Sequence, residues 1–118
     1  SGDAVPRVAP GASFTELLRE MTGKGLGFTA VADGEGRPIG IFTDGDLRRL
    51  IERGVDLRAL KAEDVMHRSP RLVRADALAV DAAGVMETQR ITSVLVVDDA
   101  GRLVGALNSN DLMRAKVI

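Results

Sequence analysis

The sequence predicts a mixed α/β fold of the α+β type, made of two copies of one helix–strand–strand–helix unit packed about a pseudo-two-fold axis. The first observation is an internal repeat, because a shift of 65 residues aligns residues 8–53 with residues 73–118 and gives eleven identical pairs. The second is that each copy shows an apolar pattern of helical period followed by two short apolar runs. The third is physical: a hairpin with two helices leaves an apolar face uncovered, so the copies must pack on each other.

The first unit opens with an amphipathic helix. Ser13 and Glu16 match the pattern of a capping box. The apolar residues that follow at helical spacing are Phe14, Leu17, Leu18 and Met21. Gly23 and Gly25 are expected to end the helix, since glycine disfavours a helix interior and readily closes a helix C-terminus.

A hairpin and a second helix are predicted to complete the first unit. Residues 29–32 are apolar enough for a short buried strand, residues 33–36 supply turn chemistry, and residues 37–42 form the returning strand. Thr43 or Asp44 then begins a helix, which Gly54 stops.

The second unit is predicted to repeat this order. Its elements are a helix near residues 77–88, strands at residues 93–98 and 103–107, a turn at residues 99–101 and a helix from about residue 110. Between the units, residues 60–66 are predicted to form a short helix that Pro70 ends, since proline disfavours helical geometry at the residue before it. The chain therefore divides into one repeat at residues 1–58 and another at residues 59–118.

The composition excludes several classes of protein. The chain has 16 Lys and Arg against 17 Asp and Glu, and three Phe with no Trp or Tyr, so it lacks the basic stripe and stacking platform of a nucleic-acid-binding protein. The absence of Cys excludes disulfides and cysteine zinc sites and is typical of a reducing, cytoplasmic compartment. The longest apolar runs, such as residues 94–97, are far shorter than a membrane span.

The strand-to-helix junction at residues 40–46 is a candidate nucleotide site. Thr43 offers a hydroxyl beside the free N–H groups of a helix N-terminus, which favours phosphate, and Asp46 can accept hydrogen bonds from a ribose diol. Thr, Asp and Gly are also what any helix start prefers, so a purely structural role is the competing interpretation. The matching junction of the second unit keeps the acceptor as Asp111 but has Asn108 in place of the threonine.

A second candidate precedes the first strand at residues 24–27. Lys24 and two glycines there would accept a phosphate or a carboxylate, and the alternative is a glycine helix end with a solvated lysine. His67, the only histidine, is interpreted as a linker or surface residue, because no Cys and no second His complete a metal set. The sequence shows no catalytic constellation.

These motifs together resemble a CBS domain pair. The residues that carry the resemblance are Asp64-Val65-Met66 with Pro70, and a Gly-x-x-[Thr/Asn]-x-x-Asp-Leu junction in duplicate. Residues 24–31, 40–49 and 105–115 further resemble the C-terminal CBS pair of bacterial arabinose-5-phosphate isomerases. The similarity extends over nearly the whole chain.

The resemblance implies a parent enzyme whose N-terminal sugar-isomerase (SIS) domain interconverts D-ribulose 5-phosphate and D-arabinose 5-phosphate. That reaction begins the route to Kdo, a sugar of lipopolysaccharide. The present chain lacks that domain and is expected to have no enzymatic activity of its own, and its first repeat is expected to lack an N-terminal helix. The expected partners are the SIS domain and a second copy of the chain in a homodimer, within a tetrameric parent.

The resemblance also implies a ligand site in the cleft between the repeats, with no resident cofactor. The expected ligand is an adenine nucleotide or CMP-Kdo, whose carboxylate suits Lys24 or an arginine. The candidate ligand residues, in order, are Thr43, Asp46 and Asp111, followed by Asn108, Lys24, Gly27 and Thr29. The alternative is a structural module that dimerises without a ligand.

Overall fold

The computed structural model describes residues 5–76 and 93–108, with the backbone alone at residues 93 and 108. Its elements in chain order are β1 (Arg7–Val8), α1 (Phe14–Lys24), β2 (Phe28–Ala32), β3 (Pro38–Thr43), α2 (Asp44–Glu52), α3 (Ala62–Val65), β4 (His67–Arg68), β5 (Leu72–Arg74), β6 (Ser93–Val97) and β7 (Leu103–Asn108). The helices predicted near residues 77–88 and from residue 110 lie outside the described residues. Within the described ranges, no helix is long and apolar enough to cross a membrane.

Helix α1 begins where the capping box predicts it. The Ser13 hydroxyl accepts a hydrogen bond from the Glu16 amide at 3.1 Å, which pairs one of the free amides at the helix start. The C-terminal cap is Gly25, in the left-handed conformation at φ 68°. Gly23 lies inside the helix, so the prediction that it ends the helix was wrong. One left-handed glycine suffices to close the last turn.

The described residues form two sheets, and both sheets are larger than the predicted hairpins. The hairpin β2–β3 is flanked by β1, parallel to β2, and by β4, antiparallel to β3, which gives the order β1-β2-β3-β4. In the second repeat, β5 runs parallel to β6 and gives the order β5-β6-β7. The added strands have two or three residues each. Segments this short carry no periodic pattern, which is why the sequence did not predict them.

The segment between the repeats joins the first sheet. The predicted short helix is present as α3, but it ends at Val65 because Met66 adopts extended angles of φ −66° and ψ 150°. Strand β4 follows at once. Pro70 lies beyond that strand, so the prediction that it terminates the helix was wrong.

Apolar residues pack on both faces of the first sheet. The buried residues between the sheet and the helices are Ala12, Phe14, Leu17, Met21, Val31, Phe42, Ala62 and Met66. The buried core on the opposite face draws on both repeats and contains Val5, Phe28, Ala30, Leu95 and Leu103. The two repeats therefore share a core, as the uncovered apolar face predicted.

Reciprocal contacts at the hairpin turns mark the pseudo-two-fold axis. A Cβ at Gly36 would lie 3.9 Å from Arg102 Cγ, and a Cβ at Gly101 would lie 3.8 Å from Arg37 Nε. The repeat shift of 65 residues exchanges these two pairs. The Leu103 amide also donates to the Gly36 carbonyl at 2.8 Å. The predicted packing of the units about a pseudo-two-fold axis is confirmed.

Candidate functional site

The first strand-to-helix junction is a capping box built from the two leading candidate residues. Thr43 ends β3 in an extended conformation, and its hydroxyl accepts a hydrogen bond from the Asp46 amide at 3.2 Å. In return, Asp46 Oδ2 accepts one from the Thr43 amide at 2.9 Å. Thr43, rather than Asp44, is therefore the cap of α2. Both residues therefore have the structural role of starting a helix. The same hydrogen bonds hold the hydroxyl and the carboxylate in place.

Asp46 is a buried carboxylate that accepts hydrogen bonds from three donors among the described residues. Besides the Thr43 amide, Arg49 Nη2 donates to Oδ1 at 2.7 Å, and His67 Nε2 lies 2.6 Å from the same oxygen. Burial by itself would raise the pKa of Asp46, but Arg49, the amide and hydroxyl of Thr43 and the charge of His67 outweigh it and hold the pKa below its ordinary value. The carboxylate is therefore ionised at neutral pH and acts only as an acceptor, so His67 Nε2 is the donor.

His67 reaches this site from the segment between the repeats, a contact that the sequence did not predict. Strand β4 pairs with β3 so that His67 lies opposite Ile41, and the imidazole contacts Asp46 on α2. The His67 side chain is 64% exposed, as expected of a linker residue. It nevertheless holds a carboxylate 21 positions earlier in the chain. No local pattern signals this contact, because only the strand pairing brings the two residues together.

Gly27 and Lys24 differ in their relation to the junction. The Gly27 carbonyl accepts from the Asp44 amide at 3.0 Å, which places Gly27 at the start of α2. Gly27 has φ 79°, and a Cβ there would lie 3.2 Å from Asp44 Oδ2, so the position favours glycine. Lys24 instead pairs with Glu20, one turn earlier on α1, at 3.4 Å. The structure thus brings Gly27 to the junction and pairs Lys24 within its own helix.

Thr29 is a completely buried residue of β2. Its hydroxyl has no hydrogen-bond partner among the residues that the structure describes. An unpaired buried hydroxyl costs on the order of 1 to 3 kcal/mol. A ligand atom or a water molecule would remove that cost, and so would deletion of the hydroxyl.

Replacement of Thr29 by valine is expected to raise the free energy of unfolding by about 1 kcal/mol, because a methyl group of similar size replaces an unpaired hydroxyl. Urea unfolding followed by circular dichroism measures the change. The matched control is Thr22→Val, at an exposed position of α1, where no gain is expected. A loss of stability in Thr29→Val would contradict the account, and a loss of nucleotide affinity would support Thr29 as a ligand residue.

The second junction is described only in part. Strand β7 ends at Asn108, whose backbone pairs with Ser93. This pairing is equivalent to that of Thr43 with Phe28 in the first repeat. The side chain of Asn108 and all of Asp111 lie outside the described residues. Their roles as ligand residues stay predictions.

Comparison with known proteins gives one family and several relatives. The family described as CBS domain matches residues 3–53 and 62–118. Arabinose 5-phosphate isomerase KdsD of Pseudomonas aeruginosa is 49% identical over 117 residues, which is 99% of this chain. The enzyme of the same name from Escherichia coli K12 is 45% identical over 118 residues, the full length of this chain. The chain spans 36% of the length of each of these relatives.

Solved structures give the same fold. CBSX2, a CBS-pair protein from Arabidopsis thaliana, has been crystallised in complex with AMP. That complex matches this chain with a TM-score of 0.76 at 25% identity, over 98% of this chain and 94% of the other. The tandem α/β architecture is therefore one already observed in CBS proteins.

Proposed function

The chain belongs to the CBS domain family, and we propose that it is a regulatory module that binds a nucleotide or sugar nucleotide in the cleft between its repeats. The observation that carries the proposal is a hydroxyl and an ionised carboxylate held together at the start of α2 by a capping box. A ribose diol would donate to Asp46, and a phosphate would accept from the Thr43 hydroxyl and the helix N-terminus. AMP in the CBSX2 complex supports this class of ligand. We also propose that the first repeat comprises residues 1–58 and the second comprises residues 59–118.

We further propose that this chain is part of an arabinose-5-phosphate isomerase. The support is the 49% identity with KdsD, which extends over 99% of this chain. Since the chain spans 36% of that relative, the aldose–ketose isomerisation is assigned to the SIS domain outside this segment. The residues described here then serve to sense a ligand and pass its binding state to the catalytic domain of the same parent.

Within the nucleotide class, CMP-Kdo offers the best chemical match. It joins a ribose phosphate, which suits Thr43 and Asp46, to a sugar carboxylate, which suits a cation such as Lys24 or Arg49. Lys24 would exchange its pairing with Glu20 for the ligand. As a later product of the route that the isomerase begins, CMP-Kdo would act as a feedback signal.

Isothermal titration calorimetry of this chain with CMP-Kdo, AMP, ATP and CMP tests the proposal. CMP-Kdo is expected to bind most tightly, because it alone combines the ribose phosphate with a carboxylate. Tighter binding of AMP or ATP would keep the nucleotide class and reject CMP-Kdo. Flat traces with all four compounds would reject ligand binding by this chain.

A structural role in dimerisation is the second candidate function. Ile51 on α2 is 60% exposed, and Val55, just beyond the helix, is exposed as well. Exposed apolar side chains of this kind suit contact with a second copy of the chain. Under this alternative, sedimentation would show a dimer that no nucleotide affects, and the calorimetric traces would be flat.

A further inference from the structure

The Asp46 carboxylate has little acceptor capacity left for a ligand. An ionised carboxylate accepts about four hydrogen bonds, two on each oxygen. Oδ1 already accepts from Arg49 at 2.7 Å and from His67 at 2.6 Å, while Oδ2 accepts from the Thr43 amide at 2.9 Å. Counted over the described residues, and with the Thr43 hydroxyl donating to a phosphate rather than to Asp46, one acceptor position remains. The two hydroxyls of a ribose diol need two positions, so one protein donor must leave when a diol binds.

Of the three donors, His67 is the one that a diol replaces at the lowest cost. Loss of the Thr43 amide bond would open the capping box and leave a partly buried backbone amide unpaired. Arg49 is permanently charged, lies on the same helix as Asp46, and makes a charge-assisted bond. His67 lies on the two-residue edge strand β4, and its side chain is 64% exposed, so water can solvate it after release.

We propose that His67 competes with the ribose diol for Asp46, so that a ribonucleotide binds by displacing the imidazole from Oδ1. This inference rests on the proposed function, because it takes Asp46 as the group that binds the sugar. His67 lowers the affinity for ligands with a full diol. It does not affect a 2′-deoxyribose, whose single hydroxyl fits the acceptor position left on Oδ2. Because His67 follows α3 in the segment joining the repeats, its release couples occupancy of the site to that segment.

The decisive variants are His67→Ala, which removes the competitor, and His67→Gln, whose side-chain amide donates from a similar position. The probes are two matched pairs: CMP-Kdo with its 2′-deoxycytidine analogue, and AMP with 2′-deoxyAMP. For the pair that the wild type binds, His67→Ala is expected to lower the Kd of the ribonucleotide about threefold to tenfold. The Kd of the 2′-deoxy compound is expected to change less than about twofold. His67→Gln is expected to restore a Kd within about twofold of the wild type.

A spectroscopic measurement follows the imidazole itself. His67 is the only histidine in the chain, so its ring proton resonances are assigned without ambiguity. Addition of the ribonucleotide is expected to shift these resonances in the direction that Asp46→Asn shifts them before ligand is added. The 2′-deoxy compound is expected to leave them near their starting positions.

The outcomes separate this inference from the proposed function. Weaker ribonucleotide binding in His67→Ala, or an equal change for both members of a pair, would overturn the competition while leaving nucleotide binding intact. Resonances of His67 that do not move with the ribonucleotide would overturn it as well. Absence of binding in both the wild type and His67→Ala would instead refute the proposed function, and this inference with it.

Discussion

Substitution of Gly40 by alanine is expected to destabilise the protein by about 3 kcal/mol, the upper end of the usual cost of overpacking a core. Gly40 is buried in β3, and a Cβ there would lie 2.3 Å from Met66 Sδ and 3.0 Å from the His67 carbonyl oxygen. The thioether can rotate, but the carbonyl belongs to the backbone of β4, which pairs with β3 at this position. The added methyl must therefore push the two strands apart. Urea unfolding measures the loss.

The repeat provides a matched control for this substitution. Gly105 holds the same position in β7, but a Cβ there would lie 3.5 Å from Val96 Cβ, which is an ordinary contact. Gly105→Ala is therefore expected to change stability by less than about 1 kcal/mol. Met66→Ala in the Gly40→Ala background removes part of the clash. The double variant should therefore lose less unfolding free energy than the two single variants lose together. Equal losses in the two glycine variants would contradict the packing account.

Gly40 also shows where prediction from sequence stops. A glycine just before a strand-to-helix junction is typical of a backbone turn or of a close approach by another group. The structure places it in the middle of β3, where the space beside it is filled by Met66, a residue 26 positions later. The glycine itself is visible in the sequence of the junction. The neighbour that imposes it became known only when α3 and β4 packed against the first sheet.

The elements that the sequence predicted are those with local signals. Helix α1, the hairpin β2–β3 and helix α2 each have caps, apolar periodicity or turn residues within a short stretch of chain. Strands β1 and β4 have two residues each, and they exist only because a neighbouring strand supplies hydrogen bonds. Their pairing depends on the tertiary fold, so no pattern within the segments reveals it.

The same distinction holds within the candidate site. Thr43 and Asp46 are three residues apart, so the sequence was enough to predict that they meet at the start of a helix. His67 meets Asp46 only because β4 pairs with β3 in one register. Its imidazole therefore escaped prediction, although the residue type is one that commonly contacts carboxylates.

Replacement of Asp46 by alanine is expected to have the largest effect on ligand binding. A hydrogen bond to a charged group contributes about 1.5 to 3 kcal/mol, so a ribose-bearing ligand should bind about tenfold to 150-fold more weakly. The loss should lie near the lower value, because the diol exchanges with a donor that Asp46 already has, His67 at 2.6 Å. Calorimetric titration with CMP-Kdo and AMP measures the change. Unchanged affinity would move the sugar site away from α2.

Asp44→Ala is the matched control for charge. Asp44 is exposed in the first turn of the same helix, so its removal takes away one negative charge at the same helix end. It leaves the three donors on Asp46 in place. Binding is expected to change less than about twofold. Equal weakening in the two variants would mean that the charge of the helix end, and not the Asp46 acceptor, governs affinity.

The pH dependence of stability separates the folding role of Asp46 from its binding role. Because the pKa of Asp46 in the folded protein lies below its ordinary value of 3.8, the carboxylate stabilises the fold above that value, and the stabilisation is lost as the pH falls through the folded pKa. When both proteins also carry His67→Ala, which removes the imidazole that contacts Asp46, the proteins with and without Asp46→Ala should therefore differ in unfolding free energy by a constant amount above about pH 5 and approach each other below about pH 4. A binding deficit that persists between pH 5 and 8, where this stability gap is constant, then belongs to the lost acceptor. A gap that already closes at pH 6 would show that the carboxylate is not held ionised by Arg49 and Thr43.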